Sequence, residues 1–485
     1  MSNVKEVCIV GGGTAGLISA LILKTRFPKK NIKIIKSDKI GIIGVGEGST
    51  EHFRNFMNYC NITPKEIIKE CDATIKLGVM FEGWTKVPYF HNLEDRIHSI
   101  KFGQYLAGFG FLINSNINQI DATNQLYKTN EIKFSENTNE SFSINQFHFN
   151  TFKLNNFLQK KCEERGIVIV NDEIKKIIIK NNNIYEVIGE KLKHKSDFFI
   201  DSTGFKRILI SKLGAKWKSY NNYLKLNHAI AFQTEDTENY NIYTLSKAMK
   251  YGWMWRIPVY GRWGNGYIFD DTLINAEQAK KEVEKVLKKK ITVAKDIKFE
   301  AGALDKVWIG NCIAVGLSAN FVEPLEATSI GTSINQMFLL IHMLENYNQN
   351  AIDDYNKKIN FIMENIRDFV FLHYMVERKD TKFWRKIKKI KPPKTLIEKL
   401  NKWSNRLPIL DDFKETNYFL FFENNWTSVL WGLNLLNKDK IKKEYNSFGD
   451  DWKNHCIIKF QDYKKSFQNL KIAHKKFLDD FRKNT

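Results

Sequence analysis

Residues 6–16 constrain this chain more than any other segment. Glu6-Val7-Cys8-Ile9-Val10 is a short apolar run, Gly11-Gly12-Gly13-Thr14-Ala15-Gly16 follows at once, and a helical pattern then continues to Leu23. In the spacing Gly11-x-Gly13-x-x-Gly16 the first glycine permits a tight turn and the second lets backbone approach a pyrophosphate. The third lets helix and strand pack closely. Free N–H groups at a helix start, together with the helix dipole, then favour the anion. With a further strand at Asn31–Lys36, the order is strand, glycine turn, helix, strand, the opening of a doubly wound dinucleotide fold. Gly11, Gly13, Thr14, Ala15 and Gly16 are the expected cofactor-binding residues. An acidic residue about 20 positions on usually holds the ribose hydroxyls. Here Lys36 ends the second strand, with Asp38 close by, so Lys36 is the candidate at the adenosine end.

Further along, residues 61–82 read as helix followed by strand. Residues 89–149, rich in Asn, Phe and Ile, read as strands and long loops covering a cavity. Residues 153–165 place Leu154, Phe157, Leu158 and Cys162 on one helical face. Short strands are expected at 167–170, 174–179, 185–188 and 198–200. An antiparallel sheet is expected over 227–271, a helix over 276–289 and a buried strand over 313–315. Beyond residue 330 the pattern is mostly helical to the end. The expected class is thus mixed α/β: a dinucleotide domain assembled from discontinuous segments of residues 1–340, with substrate-sheet regions at about 86–150 and 205–300. A helical C-terminal lobe over 341–485 completes it.

Composition narrows the function classes. Six cysteines are spread thinly, without a Cys-x-x-Cys pair or a Cys/His cluster, which argues against a disulfide framework or a metal site and fits a reducing cytoplasm. The chain opens on a strand rather than a basic-then-apolar leader, and no run of about 20 apolar residues suggests a membrane span. The formal charge of +21 would attract anions, but the lysines are dispersed rather than gathered into an arm or stripe, so nucleic acid is not an expected partner.

Several segments far apart in the chain together resemble the flavin-dependent tryptophan halogenase family. They are Gly44-Val45-Gly46-Glu47-Gly48-Ser49, Cys71-Asp72-Ala73-Thr74-Ile75-Lys76-Leu77-Gly78, Gly252-Trp253-Met254-Trp255-Arg256-Ile257-Pro258 and Phe321-Val322-Glu323-Pro324-Leu325-Glu326-Ala327-Thr328-Ser329-Ile330. His373-Tyr374 with Asp380-Thr381-Lys382-Phe383-Trp384 is similar to a segment of the family's helical lobe.

The resemblance implies an activity and assigns roles. Lys76 and Glu326 would be the catalytic pair: the lysine amine presents the halogen, as hypohalous acid or a brief haloamine, and the glutamate positions it and accepts the proton lost on substitution. Backbone N–H groups of Thr328 and Ser329 would hold the halide beside the flavin. Gly46 and Glu47 would belong to a strap over the flavin. Gly316 and Leu317 would pass beneath its ring system, with Ile330 completing the contacts. Trp253, Trp255, Ile257 and Pro258 would form the wall that keeps the organic substrate from the flavin, although alternating bulky residues also describe any buried strand.

The implied reaction uses FAD as FADH2, O2 and a halide ion, makes hypohalous acid, and passes it through a tunnel to Lys76 and Glu326 for substitution on an indole- or phenol-like carbon. With no second dinucleotide motif for NADH, the implied partner is a separate NAD(P)H-dependent flavin reductase; a homodimer is what the resemblance suggests. The aromatic substrate is free or carrier-bound. His91 and Trp426 are the candidate substrate contacts; Tyr374 and Trp431 are further candidates to line the substrate cavity, although aromatics at helical spacing also describe core packing. Departures are visible: Ala327 stands where the family often has Ser, Asn150 replaces an acidic residue, and Asn92-Leu93 replace Pro-Phe after His91. Two other readings compete: a flavin-dependent aromatic monooxygenase sharing the glycine turn, and a flavin-binding scaffold without catalysis.

Overall fold

The computed structural model describes residues 4–42, 47–92, 129–133, 146–455, 457–458 and 471–483. Gly46 and most of the 89–149 stretch expected to cover a cavity lie outside the described residues, as does the Glu47 side chain. The chain divides into two compact units, each discontinuous in sequence. The first comprises Met1–Asp72, Phe149–Asn221 and Glu300–Glu364; the second comprises Ala73–His148, Asn222–Phe299 and Asn365–Thr485.

In the first unit, Glu6–Val10 buries four of its five residues, as a strand covered on both faces must. It pairs in parallel with Asn31–Lys36 on one side and with Phe198–Asp201 on the other. Val168–Asn171 extends one edge and Cys312–Ala314 the other, both in parallel, and Trp308–Ile309 adds an antiparallel margin. The chain thus leaves the central strand in one direction and later returns on its far side. The crevice beyond the carboxyl end of that strand is the topological switch point, where such sheets bind ligands. The expected doubly wound fold is what the structure has. Helix Thr151–Glu164 starts where Asn150 accepts hydrogen bonds from the N–H groups of Phe152 (3.2 Å) and Lys153 (3.4 Å), so the asparagine at the departed position works as an N-cap.

The second unit is built on a seven-stranded sheet ordered Val293–Lys298, His228–Glu235, Arg262–Phe269, Gly252–Val259, Tyr243–Ala248, Gly78–Glu82, Tyr89–Asn92. Its pairs are antiparallel except Tyr243–Ala248 with Gly78–Glu82, which is parallel. Helix Ala276–Leu287 is started by a capping box at Asn275 and Gln278. It buries Ala279 and Val283 against Ile230, Phe232, Tyr267 and Phe269 of the sheet. Helices Lys382–Lys388, Lys394–Trp403, Glu423–Gly432, Lys438–Asn446 and His474–Lys483 follow. The helical C-terminal pattern is interrupted once among the described residues, where Lys471–Ala473 pairs antiparallel with Glu131–Lys133.

Candidate active site

The glycine turn of the first unit is closed where it must be closed and open where a ligand must approach. Gly11 has φ of +118° and donates its N–H to Ile35 O at 2.8 Å; a Cβ there would run into the Ser202 carbonyl. A Cβ on Gly16 would run into the Gly11 carbonyl, whereas one on Gly13 would meet no atom within 4 Å. Gly13 is also the N-cap of helix Thr14–Arg26 and, being glycine, provides no side chain to cap the first N–H groups of that helix. Lys36 lies beside the turn and is held by Gln159 Oε1 at 3.0 Å and Asp38 Oδ1 at 3.1 Å. The acidic group absent from the end of the second strand therefore sits two residues later, bound to the lysine.

Gly316 joins this cradle from the far end of the sequence. Its φ is +65°, and a Cβ would crowd the Ala15 side chain at 2.7 Å. The turn Gly316–Ser318 is anchored by Asp201, which sequence reasoning missed. The buried Asp201 carboxylate accepts from Thr203 N (3.0 Å), Thr203 Oγ1 (2.7 Å), Leu209 N (2.8 Å), Ile210 N (2.9 Å) and Ser318 Oγ (3.1 Å). The available signal was an acidic residue closing an apolar strand, followed by Ser-Thr-Gly.

Glu326 is fully buried at the end of the single turn Pro324–Glu326. Ala327 follows at φ 54°, ψ 38°, a left-handed conformation that a Cβ disfavours, and opens helix Thr328–Leu340 without a side-chain cap. Thr328 is buried, Ser329 half-buried and Ile330 buried. The hydroxyls of Thr332 and Ser333 donate back to the carbonyls of Thr328 (2.8 Å) and Ser329 (2.9 Å) rather than forward to the helix start.

In the second unit Lys76 has no exposed surface, although it is one of 75 Lys and Arg residues in the chain. It follows the short strand Thr74–Ile75, which pairs antiparallel with residues 147 and 148. Backbone bonds clamp it from alternating edges: Lys76 N donates to Gln146 O at 3.0 Å, and Leu77 N donates to Ile242 O at 2.7 Å. Two buried histidines stand by. Thr244 Oγ1 lies 2.8 Å from His148 Nε2, His148 Nδ1 lies 3.4 Å from Thr74 Oγ1, and Thr74 Oγ1 donates to Pro258 O at 2.7 Å. Since the single Thr74 proton goes to Pro258, His148 must donate from Nδ1; kept neutral by its burial, it then accepts at Nε2 from the Thr244 hydroxyl. Burial, then the Lys76 charge, then His474 hold its pKa well below 6.5. Burial likewise lowers His474 to about 4.

Pro258 ends the Trp-x-Trp-x-Ile-Pro segment, so that chain of hydrogen bonds ties the lysine strand to the proposed wall. Trp253, Trp255, Ile257 and Pro258 are all buried in Gly252–Val259. Across the ladder, Trp255 faces Gly266 and Ile257 faces Gly264. A Cβ on Gly266 would fall inside the Trp255 indole, and one on Gly264 would touch Ile257 Cγ1 at 3.1 Å. The bulk of one strand is accommodated by the missing side chains of the next, a pairing that a pass along single strands overlooks.

His91 and Trp426 are both fully buried. His91 Nε2 lies 3.2 Å from Asn425 Nδ2, with Phe369 and Phe421 beside the ring. Trp426 packs against Phe369, Trp403 and Phe413 and donates its Nε1–H to Phe421 O at 3.3 Å. Tyr374 packs between Trp84 and Trp384. The cofactor-cradling residues thus gather within the first unit, and Lys76 and the tryptophan strand gather within the second.

A parallel sheet with an uncapped helix start at its switch point is the arrangement of a dinucleotide-binding fold. The sequence profile of the tryptophan halogenase family matches residues 6–446. A 7-chloro-L-tryptophan 6-halogenase of Kutzneria sp. (strain 744) is 29% identical over 446 residues, 82% of this chain and 85% of that protein. A tryptophan 6-halogenase of Streptomyces toxytricini is 28% identical over 84% of this chain and 85% of its own length. Among solved structures, a flavin-dependent halogenase from Xanthomonas campestris superposes with a TM-score of 0.86 at 25% identity, covering 99% of this chain and 98% of that one. The chain belongs to the tryptophan halogenase family, and it is a flavin-dependent halogenase by class.

That class implies FAD and a halide. The first unit fits the flavin nucleotide: the Gly13 face is open, the helix start behind it is uncapped, and Gly316 lies against Ala15. Among the described residues no cluster of His, Cys, Asp and Glu could hold a metal ion, and no helix is long and apolar enough to cross a membrane.

Proposed function

We propose that this protein halogenates an electron-rich aromatic carbon, with Lys76 presenting the halogen and Glu326 as the second catalytic residue. The observation that carries this reading is Lys76 itself: a lysine without exposed surface, on a strand hydrogen-bonded through Thr74 to Pro258 of the tryptophan segment. Burying an ammonium costs several kcal/mol, and such a residue persists where its chemistry is used. Bound FAD, supplied in reduced form by a separate flavin reductase, would provide the oxidation of halide by O2. The protein's own part is separation and orientation. The glycine turn and the Gly316 segment hold the nucleotide, and the N–H groups of Thr328 and Ser329 hold the halide. Trp253, Trp255, Ile257 and Pro258 exclude the aromatic substrate from the flavin, so that only a small oxidant, hypohalous acid, moves on through a tunnel. Lys76 Nζ hydrogen-bonds that acid and aims its halogen at the attacked carbon; the Glu326 carboxylate takes the proton the ring loses. The relatives act on tryptophan and its chlorinated derivative; here the substrate class is an indole- or phenol-like ring, free or carrier-bound.

The test combines purified protein, FAD, a generic flavin reductase, NADH, O2 and chloride, bromide or iodide in turn, with mass spectrometry on indoles, phenols and anilines. Wild type should yield halogenated product. Lys76→Ala should lower that yield by a factor of about 100 or more while NADH consumption continues. Hydroxylated product without halogen, unaffected by loss of Lys76, would show oxygen insertion instead and overturn the reading.

A further inference from the structure

The backbone around Lys76 contains a break in the sheet, and a side chain from the far end of the chain fills it. Gly78–Glu82 pairs in parallel with Tyr243–Ala248, and Leu77 N still reaches Ile242 O directly. Were the parallel ladder to continue, the Ile75 N–H would find the carbonyl two residues before Ile242. It donates to His474 Nε2 instead, at 3.0 Å, and His474 Nδ1 donates to Asn241 O at 3.1 Å. An imidazole thus stands where a ladder bond would close, holding the two edges a ring's width apart immediately before the lysine.

The histidine is delivered by a structure of its own. Lys471–Ala473 pairs with Glu131–Lys133, and His474 N donates to Asn130 O at 3.0 Å. His474 then opens the last described helix, His474–Lys483. That helix is fastened at Lys475 to Asp236 (2.7 Å) and Thr237 O (2.8 Å), and at Asp479 to the Tyr260 hydroxyl (2.8 Å). His474 has 1% exposure. Its bonding leaves one protonation state: Nδ1 carries the proton and Nε2 must be bare to accept. The imidazole supplies an acceptor to a buried N–H without adding a second cation beside Lys76.

We infer that His474 is a positioning residue for Lys76, wedging open the sheet edge at Ile75 so that the backbone leading into the lysine is held apart from Tyr243–Ala248 instead of being zipped into a ladder. This rests on the proposed role of Lys76. The residue touches no reacting atom; it acts through the Ile75 peptide.

Two substitutions of full-length protein, each loaded with FAD, test it. His474→Phe keeps the ring and removes the acceptor; His474→Gln keeps an acceptor at the Nε2 position. The aromatic that wild type halogenates most readily is the substrate, bromide the halide, and a dione that traps free hypobromous acid reports leakage. The Phe variant should lose about tenfold or more in kcat for product with little change in KM, because small misplacements of a catalytic group are that costly. NADH consumption should persist and trapped hypobromous acid should rise. The Gln variant should recover most of the product. In parallel, hydrogen exchange at the Ile75 amide should be slow in wild type and the Gln variant and fast in the Phe variant. Unchanged product partition in the Phe variant, with Lys76→Ala inactive, overturns the inference alone. Product from Lys76→Ala at the wild-type level overturns the catalytic reading beneath it. Equal Ile75 protection in all three proteins removes the wedge itself.

Discussion

At the scale of single residues, the strand of Lys76 is bordered by two uncharged imidazoles. Two histidines contact its strand by hydrogen bonds, His474 and, through Thr74, His148, and both are kept neutral chiefly by burial. Asn241 O and the Tyr240 ring complete the surroundings of His474. This has a pH signature. In the unfolded chain these imidazoles take protons near 6.5, whereas His474 in the folded chain does so only at about 4. Between those values the unfolded state binds more protons, so the stability held above 6.5 is lost progressively as pH falls toward 4. The urea midpoint should therefore drop between pH 7 and pH 5, and it should drop less in His474→Phe, which has no imidazole to protonate there. Parallel pH profiles for the two proteins would refute this account.

At the scale of elements, the tryptophan segment is only half of its own design. Trp255 can lie flat because Gly266 opposes it, and Ile257 because Gly264 does. Gly266→Val should force the indole out of its place and cost about 1–3 kcal/mol, the usual penalty for overpacking. A lower melting temperature and altered tryptophan emission would register it. Gly264→Ala should cost less, since its Cβ would come no nearer than 3.1 Å to the Ile257 side chain. A Gly266→Val protein that melts and emits like wild type would mean that Trp255 is not packed this way. The start of helix Thr328–Leu340 is a second element whose meaning lies in its junction. Ala327 adopts a left-handed conformation and turns the chain between buried Glu326 and buried Thr328, leaving the helix start without a side-chain cap.

At the scale of the whole molecule, ligand binding and folding of the first unit should be linked through the glycine turn. FAD present at about 100 times its Kd should stabilise the protein by about 2.7 kcal/mol, seen as a rise in melting temperature. Two alanine substitutions should separate the effects. Gly11→Ala places a Cβ against the Ser202 carbonyl at φ +118° and should lower the melting temperature without FAD. Gly13→Ala meets no neighbour within 4 Å, so it should melt like wild type without FAD yet lose most of the flavin-induced rise. A full rise in Gly13→Ala would move the nucleotide away from this turn.

Local signals made much of this readable in advance. The glycine spacing, the apolar runs of the parallel strands and the alternation over residues 227–271 are short-range patterns, and each produced the expected element. The lone lysine between Ile75 and Leu77 was conspicuous because its neighbours are apolar, and its burial could be suspected from them. Contacts across the chain were not readable. His474 meets Ile75 from 399 positions away, Asp201 anchors Ser318 from 117, and Gly266 makes room for a tryptophan on another strand. The sequence by itself determined the type of each long element and the chemistry of its motifs, since propensity and periodicity act within a few residues. Only the tertiary structure decided which histidines stand beside Lys76, which tautomers they hold and where the ladder stops, because those outcomes depend on side chains that share no local pattern and meet only once the chain is packed.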